Sequence, residues 1–147
     1  MNKKGQFYLV AGIIIISIIV SLIAISNYIQ KGQTIIVNDL KEELKIETQK
    51  ILEYEISGSK MDQYGIDYSS HLGSNIELYF IMGEDPSIEV TKYVNGVAGS
   101  PMSLTPEGDK IIFTLDEVDY EFDLMPSKNF YFLISKEIKG ELFVATG

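Results

Sequence analysis

The hydrophobic pattern divides this chain into three parts. The first is a continuous apolar stretch over residues 7–29 that contains no charged residue. The second, residues 34–56, carries apolar and charged residues with the spacing of an amphipathic helix. Its apolar positions are Val37, Leu40, Leu44, Ile51 and Tyr54, with Glu47 interrupting them. The third part begins near Ile76 and consists of short apolar or alternating runs between turn residues, which is typical of β-strands.

The apolar stretch is long enough to cross a membrane. As a helix it would extend roughly 34 Å, and the hydrocarbon core of a bilayer is about 30 Å thick. Lys3 and Lys4 precede it without a nearby acid. This excess of positive charge favours a cytoplasmic N-terminus and an external remainder. A buried helix of a soluble protein is the alternative, although such helices rarely run this long without a polar stripe.

The C-terminal region predicts antiparallel strands joined by short turns. Asn95-Gly96 is the strongest hairpin signal, because a type I′ turn needs positive φ at both positions. Gly99 and Pro101 interrupt the strand that follows and indicate a sheet edge. The polar residues 59–74 predict a connecting loop, with a short strand near Tyr68 as an option. The predicted strands are 76–82, 87–94, 97–104, 110–115, 118–125, 130–137 and 141–145.

These patterns together predict an α+β fold. A long N-terminal helix, transmembrane in its first half and amphipathic in its second, would pack on a C-terminal antiparallel β-sheet or small sandwich. The expected organisation is a basic leader over 1–5, a transmembrane helix over 6–30, an amphipathic helix over 31–58 and an extracytoplasmic antiparallel β domain over 59–147. A kink at Gly32 would instead make the amphipathic segment an independent helix on the β domain.

The N-terminus carries a more specific signal, the junction Lys3-Lys4-Gly5-Gln6. A basic leader that meets an apolar helix at a glycine resembles the class III signal peptide of type IV pilins and archaeal filament proteins of the archaellin type. The resemblance implies that a prepilin-peptidase-like protease cuts after Gly5 and leaves Gln6 as the first residue. It also implies that the apolar helix stays on the mature protein and packs in a filament core. The resemblance covers the first 30 residues closely and the rest only in overall plan.

One position departs from that family pattern. The family usually has Glu at the fifth mature position, where this chain has Val10. That Glu is thought to pair with the N-terminal amine of a neighbouring subunit, because an unpaired charge in an apolar core is costly. Val10 therefore fits either a minor subunit at a filament tip or an ordinary signal anchor. A third reading is a secretory signal peptide cleaved near Ala24-Ile25-Ser26, although the preceding apolar run is longer than usual.

Small residues within the apolar stretch suggest helix packing. Ser17, Ser21 and Ala24 are spaced i, i+4 and i+7, so they share one helix face. Small side chains let helix backbones approach closely, which favours a seam with another subunit. The same residue types are also frequent in any membrane helix, so both interpretations stay open.

Composition excludes several classes of function. All 21 acidic residues and nine of the twelve lysines follow residue 31, and the chain has a formal net charge of −9. An acidic surface repels nucleic acid, so we expect no nucleic-acid partner. The absence of cysteine from the sequence excludes thiol catalysis, a disulfide scaffold and cysteine-ligated metal sites.

The sequence offers two places to look for chemistry, and both favour a structural interpretation. His71 is the only histidine and follows Asp67, Ser69 and Ser70 in one short segment. A Ser-His-Asp site needs residues that converge from separate elements, so we interpret this segment as a solvated loop. The densest acidic run comprises Asp116, Glu117, Asp119, Glu121 and Asp123. The acidic residues alternate with apolar ones, which favours a solvated strand face. A calcium site is the alternative, but the EF-hand loop pattern is missing.

The functional expectation is a non-enzymatic protein without cofactor or metal. We predict a pilin-like structural subunit of an extracellular filament or its tip, anchored and assembled through the N-terminal apolar helix. Its expected partners are the membrane, the processing protease and other pilin-like subunits. Its expected location is the cell membrane, single-pass, with the C-terminal domain outside. The alternative is a single-pass anchored, extracytoplasmic binding domain that does not assemble.

Overall fold

The computed structural model describes the backbone of residues 3–53 and 58–147, and the side chains of residues 13–24, 36–50 and 60–147. The chain forms two compact units, Met1–Ile36 and Val37–Gly147. Its helices are α1 (Lys3–Glu53), which contributes to both units, and α2 (Gly58–His71). Its strands are β1 (Ile76–Glu84), β2 (Ser87–Val94), β3 (Val97–Ala98), β4 (Met102–Leu104), β5 (Lys110–Leu115), β6 (Val118–Asp123), β7 (Asn129–Ile138) and β8 (Glu141–Thr146).

Six strands of the second unit form one antiparallel sheet. Its order is β3-β2-β1-β7-β8, and β4 also pairs with β2. The central pair is β1 with β7, in which Phe80 lies opposite Phe132. Strands β5 and β6 form a separate two-stranded sheet. The hairpin β5–β6 therefore lies between β4 and β7 in sequence without joining the main sheet.

Side chains alternate across the main sheet and build a core on each face. On one face, Phe80 and Phe132 belong to a core that includes Val37 and Leu44 of α1. Residues of α2 pack against the same core, as described below. On the other face, the core combines residues of β1, β2 and β7 with residues of the β5–β6 hairpin. This second core comprises Tyr79, Ile81, Ile88, Val90, Ile111, Phe113, Phe122 and Leu133. The second unit is therefore layered as helices, sheet and hairpin.

Two-residue hairpin turns fix much of the antiparallel register. Each has positive φ at both central positions, as type I′ turns require. The turns are Asn95-Gly96 (51° and 76°), Asp116-Glu117 (48° and 65°) and Lys139-Gly140 (54° and 82°). The hairpin predicted at Asn95-Gly96 is confirmed.

The edge next to β2 contains a one-residue bulge. β2 pairs with β3 through Val94 and Val97, but with β4 through Val90 and Met102, so the register shifts by one residue. Gly99 N donates a hydrogen bond to Lys92 O at 2.7 Å at the start of this bulge. The predicted edge strand 97–104 is thus present as two short strands, since an extra residue breaks the ladder.

Residues 59–74 are mostly helical, so the predicted loop is wrong over most of its length. Helix α2 directs Tyr64 and Tyr68 towards the helix-facing core, one helical turn apart, and Leu72, just after the helix, packs against the same core. Gly65 lets α2 approach β2 closely, because a Cβ there would lie 2.7 Å from the ring of Tyr93. The polar composition of this segment concealed a helix whose apolar contacts are mainly tyrosines.

The predicted fold class is wrong in its membrane-spanning part and in its helical layer. Within the described residues, no helix is both long and apolar enough to cross a bilayer. Two helices rather than one supply the helical layer on the sheet.

The same finding corrects the expected location. A single-pass protein of the cell membrane with an extracytoplasmic C-terminal domain requires a spanning helix, and the described residues supply none. The transmembrane character assigned to residues 6–30 is therefore not retained.

Candidate functional site

The most unusual feature of the first unit is an exposed apolar segment of α1, residues 13–24. Nine large aliphatic side chains there are each between 51% and 62% exposed. They are Ile13, Ile14, Ile15, Ile16, Ile18, Ile19, Val20, Leu22 and Ile23. Twelve residues make more than three helical turns, so these side chains lie on all sides of the helix. A helix that is apolar all round is normally buried against other apolar surface.

The three small residues predicted to form a packing seam lie within this segment. Ser17 Oγ donates to Ile13 O at 2.9 Å, and Ser21 Oγ donates to Ser17 O at 2.8 Å. Both hydroxyl groups are thereby satisfied by the backbone of their own helix. Together with Ala24, the two serines form a helix face of small side chains. Neither serine hydroxyl needs a hydrogen-bond partner from a neighbouring helix. The role of this face in packing stays a prediction.

The predicted processing site lies at the start of α1. The backbone of Lys3, Lys4, Gly5 and Gln6 falls within this helix. Their side chains, and that of Val10, lie outside the described residues. Cleavage after Gly5 therefore stays a prediction.

A second feature, which sequence reasoning missed, is a cavity of about 780 Å³ in the second unit. It opens on the helix-facing side of the main sheet, next to the first turns of α2. Its floor is a row of side chains across three strands, in which Glu89 lies opposite Met82 and Met82 lies opposite Phe130. Phe130 and Phe80 are 5.3 Å apart between ring centroids, so the floor continues directly into the buried core.

The walls of the cavity come from α2, from the bulge and from the loop between β6 and β7. Met61 and Asp62 of α2 line one side, and Gly99 and Pro101 of the bulge line another. Met125 and Lys128 stand on the loop.

Two hydrogen-bonded side chains hold these walls in place. Tyr93 Oη donates to Asp62 Oδ1 at 2.5 Å and ties α2 to β2. Burial, with the adjacent Asp62 carboxylate, raises the pKa of Tyr93 well above its usual value. Asn129, which is 3% exposed, accepts a hydrogen bond from Met125 N at 2.7 Å. Its Nδ2 donates to Ser127 O at 3.0 Å and to Met125 O at 3.2 Å, so it closes the β6–β7 loop.

The segment around His71 does not form a catalytic triad. His71 Nδ1 lies 2.7 Å from the carbonyl oxygen of Asp67, while the Asp67 carboxylate accepts from Gln63 Nε2 at 2.9 Å. Ser69 is buried and its Oγ accepts a hydrogen bond from Gly96 N at 3.1 Å. These residues close the end of α2 and attach it to the β2–β3 turn. The segment is helical rather than the solvated loop expected from the sequence.

The acidic run forms the turn and the solvent-facing side of the β5–β6 hairpin. Lys110 Nζ lies 2.7 Å from Asp123 Oδ1, and Thr114 Oγ1 donates to Asp119 Oδ1 at 2.7 Å. Phe122, between two acids, is buried in the core beneath. In the part of the chain that the structure describes, no group of three or more acidic or histidine side chains is arranged to hold a metal ion.

Comparisons with known proteins do not assign this chain to a family. No family model matches the chain, and neither the curated proteins nor the solved structures contain a significant match. The exposed apolar segment and the cavity are therefore the features of the chain that bear on its function.

Proposed function

We propose that this chain is a pilin-like structural subunit that assembles with other subunits through residues 13–24 of α1. The observation that carries the proposal is the exposure of nine large aliphatic side chains around the whole circumference of that segment. We propose no enzymatic role. The likeness of Lys3-Lys4-Gly5-Gln6 to a pilin processing junction supports the same interpretation from an independent part of the sequence.

The energetics favour burial of this segment between subunits. Each large aliphatic side chain that moves from half exposure to full burial would contribute roughly 1 kcal/mol. Nine such side chains on one helix therefore supply a driving force that isolated exposed residues do not have. The shallow face of Ser17, Ser21 and Ala24 lets a second helix approach closely, because its hydroxyl groups are already satisfied.

The direct experiment is to make one position of the segment polar and to follow assembly. Ile16, the most exposed of the nine at 62%, is changed to Asn in the full chain. We expect wild-type protein to form large assemblies in sedimentation velocity and Ile16→Asn to shift the distribution towards small species. The reason is that an amide buried between apolar helices lacks hydrogen-bond partners.

A matched control lies further along the same helix. Ile46 is 54% exposed on the part of α1 that belongs to the second unit. Ile46→Asn makes the same chemical change at similar exposure, and we expect its assemblies to match those of wild type. Equal assembly of wild type and Ile16→Asn, or equal loss in both variants, would contradict the proposal.

Processing provides a second, independent measurement. Mass spectrometry of protein recovered from its native host should find a chain that begins at Gln6, and Gly5→Val should block this maturation. A mature chain that begins at Met1 or near Asn27 would overturn the pilin-like interpretation of the junction.

A further inference from the structure

We propose that the cavity beside α2 is a binding site for a small organic amine, with an apolar body and one protonated nitrogen. This inference goes beyond assembly, because every residue that lines the cavity belongs to the second unit. It rests on three properties of the cavity: an apolar floor, an excess of negative charge and walls that are already formed.

The floor offers a flat apolar surface of suitable size. Met82 and Phe130 are half-buried and pack against the helix-facing core, and Met61 adds a third apolar side chain from α2. A volume of about 780 Å³ lies within the range of about 300–1,000 Å³ that is typical of small-molecule sites. Methionine adapts its shape to varied ligands, so this floor suits a flexible alkyl or aryl body.

The charged residues around the floor favour a positively charged ligand. Asp62, Glu84 and Glu89 line the cavity, whereas Lys128 is the one cation among its described lining residues. Glu89 stands next to Met82 in the floor row, so a carboxylate directly adjoins the apolar surface. Neither Glu84 nor Glu89 takes part in the ion pairs found among the described side chains. An ammonium group is therefore attracted, and a carboxylate or phosphate ligand is repelled.

The walls need little rearrangement before binding. Asn129 holds the β6–β7 loop through backbone hydrogen bonds, and Tyr93 holds Asp62. The bulge at Gly99 is fixed to β2 by the hydrogen bond to Lys92 O. A preformed site loses less conformational freedom on binding, so even a small ligand retains measurable affinity.

Methionine methyl groups provide a site-resolved test in the full chain. The sequence has five methionines, of which Met61, Met82 and Met125 line the cavity, while Met102 lies on β4 outside it. The full chain, with ¹³C-labelled methionine methyl groups and kept in solution with a nonionic surfactant, is titrated with hexylamine, 1-hexanol and hexanoate. We expect saturable shifts at Met61 and Met82 with hexylamine, a stationary Met102 signal, and hexanoate binding at least about tenfold more weakly.

Three variants separate the site from non-specific binding. Glu89→Gln removes the charge that adjoins the floor and should weaken hexylamine binding roughly two- to fivefold, as expected for a partly exposed ion pair. Ser87→Trp places a large ring at the cavity mouth and should abolish the shifts. Glu121→Gln makes the same charge change on β6 outside the cavity, and its hexylamine affinity should equal that of wild type.

Several outcomes would overturn the inference. They are equal affinities for the three hexyl probes, shifts at Met102 as large as those at Met82, and unchanged binding in both Glu89→Gln and Ser87→Trp. None of these results bears on the assembly proposal. That proposal concerns residues 13–24 and is tested separately by sedimentation velocity.

Discussion

At the scale of single residues, two tyrosines on the helix-facing side of the sheet differ in whether their hydroxyl group finds a partner. Tyr93 Oη donates to Asp62. Tyr64 Oη is buried and has no hydrogen-bond partner among the described residues. Burial raises the pKa of both phenols, so both stay protonated across the physiological range. The two hydroxyl groups should therefore contribute to stability with opposite signs.

Removal of each hydroxyl group tests this difference. We expect Tyr64→Phe to leave the free energy of unfolding unchanged or to raise it by up to about 1 kcal/mol, because an unsatisfied polar group is removed. We expect Tyr93→Phe to lower it by about 1–2 kcal/mol, because a hydrogen bond to a carboxylate is lost. Chemical denaturation of both variants measures the two values. A larger loss for Tyr64→Phe than for Tyr93→Phe would contradict this assignment.

A second residue-scale group lies on the hairpin-facing side, where Glu77 accepts hydrogen bonds from both Tyr79 and Lys92. The Lys92 Nζ to Glu77 Oε1 distance is 2.6 Å, and the Tyr79 Oη to Glu77 Oε2 distance is 2.5 Å. Burial by itself raises the pKa of Glu77, but the hydrogen bonds from Lys92 and Tyr79 outweigh it and hold the pKa below its usual value.

This lowered pKa predicts an acid-sensitive contribution to stability. The folded state binds the proton of Glu77 less readily than the unfolded state, so the contribution is present above the ordinary pKa of 4.5. It is lost as the pH falls from there through the lower pKa of the folded state. We expect the free energy of unfolding to fall less steeply between pH 5 and pH 3 in Glu77→Gln than in wild type. Glu107→Gln, in an exposed turn, should keep the wild-type slope, and identical slopes for all three proteins would refute the assignment.

At the scale of elements, the strands followed from the sequence more closely than the helices did. β5 (Lys110–Leu115) begins and ends where the alternation predicted, and the hairpin at Asn95-Gly96 follows from its turn residues. Helix α2 was not predicted because most of its contacts with the core come from Tyr64 and Tyr68, with Ile66 as the one aliphatic residue beside them. Those contacts exist only because the sheet supplies a surface for the rings, and no local pattern encodes that surface.

The cavity could not be predicted for a related reason. Its floor depends on the pairing of Met82 with Phe130, which are almost fifty residues apart in the chain. Alternation assigns each side chain to one of two faces but does not say which strands are neighbours. The exposed apolar segment, by contrast, was evident from residues 7–29 alone, although its predicted role as a membrane span was wrong.

The close approach of α2 to β2 gives a prediction at this scale. Gly65→Ala would place a Cβ 2.7 Å from Cε1 and Cζ of Tyr93, so the helix or the ring must move. We expect the free energy of unfolding to fall by about 1–3 kcal/mol, despite the better helix propensity of alanine. In a Tyr93→Leu background the ring atoms are absent, and the same substitution should cost less or stabilise. Thermodynamic double-mutant analysis measures this coupling, and additive effects would contradict the contact.

At the scale of the whole molecule, the proposed assembly would have to overcome electrostatic repulsion. Each chain carries a formal net charge of −9, and all its acids follow residue 31, outside the apolar segment. Copies that gather through residues 13–24 therefore bring like-charged domains together. Salt reduces this repulsion, because the Debye length falls from about 30 Å at 0.01 M to about 8 Å at 0.15 M ionic strength.

The proposed assembly should therefore grow with ionic strength. We expect the sedimentation distribution of wild-type protein to move to larger species between 0.01 M and 0.15 M NaCl. The sedimentation distribution of Ile16→Asn should change much less with salt. This substitution weakens the apolar contact itself, so screening of the charge repulsion has little effect. Dissociation of the wild-type assemblies on addition of salt would show that charged contacts, rather than apolar ones, hold the subunits together.

The bulge between β3 and β4 has a consequence for any protein that gathers in many copies. An exposed sheet edge can recruit the edge of a neighbouring molecule and begin runaway aggregation into cross-β fibres. Here the extra residue shifts the outer ladder between β3 and β4, and Pro101 lacks the N–H that an incoming strand would need. In the proposed assembly, this edge would therefore resist pairing with the sheet edge of a neighbouring copy.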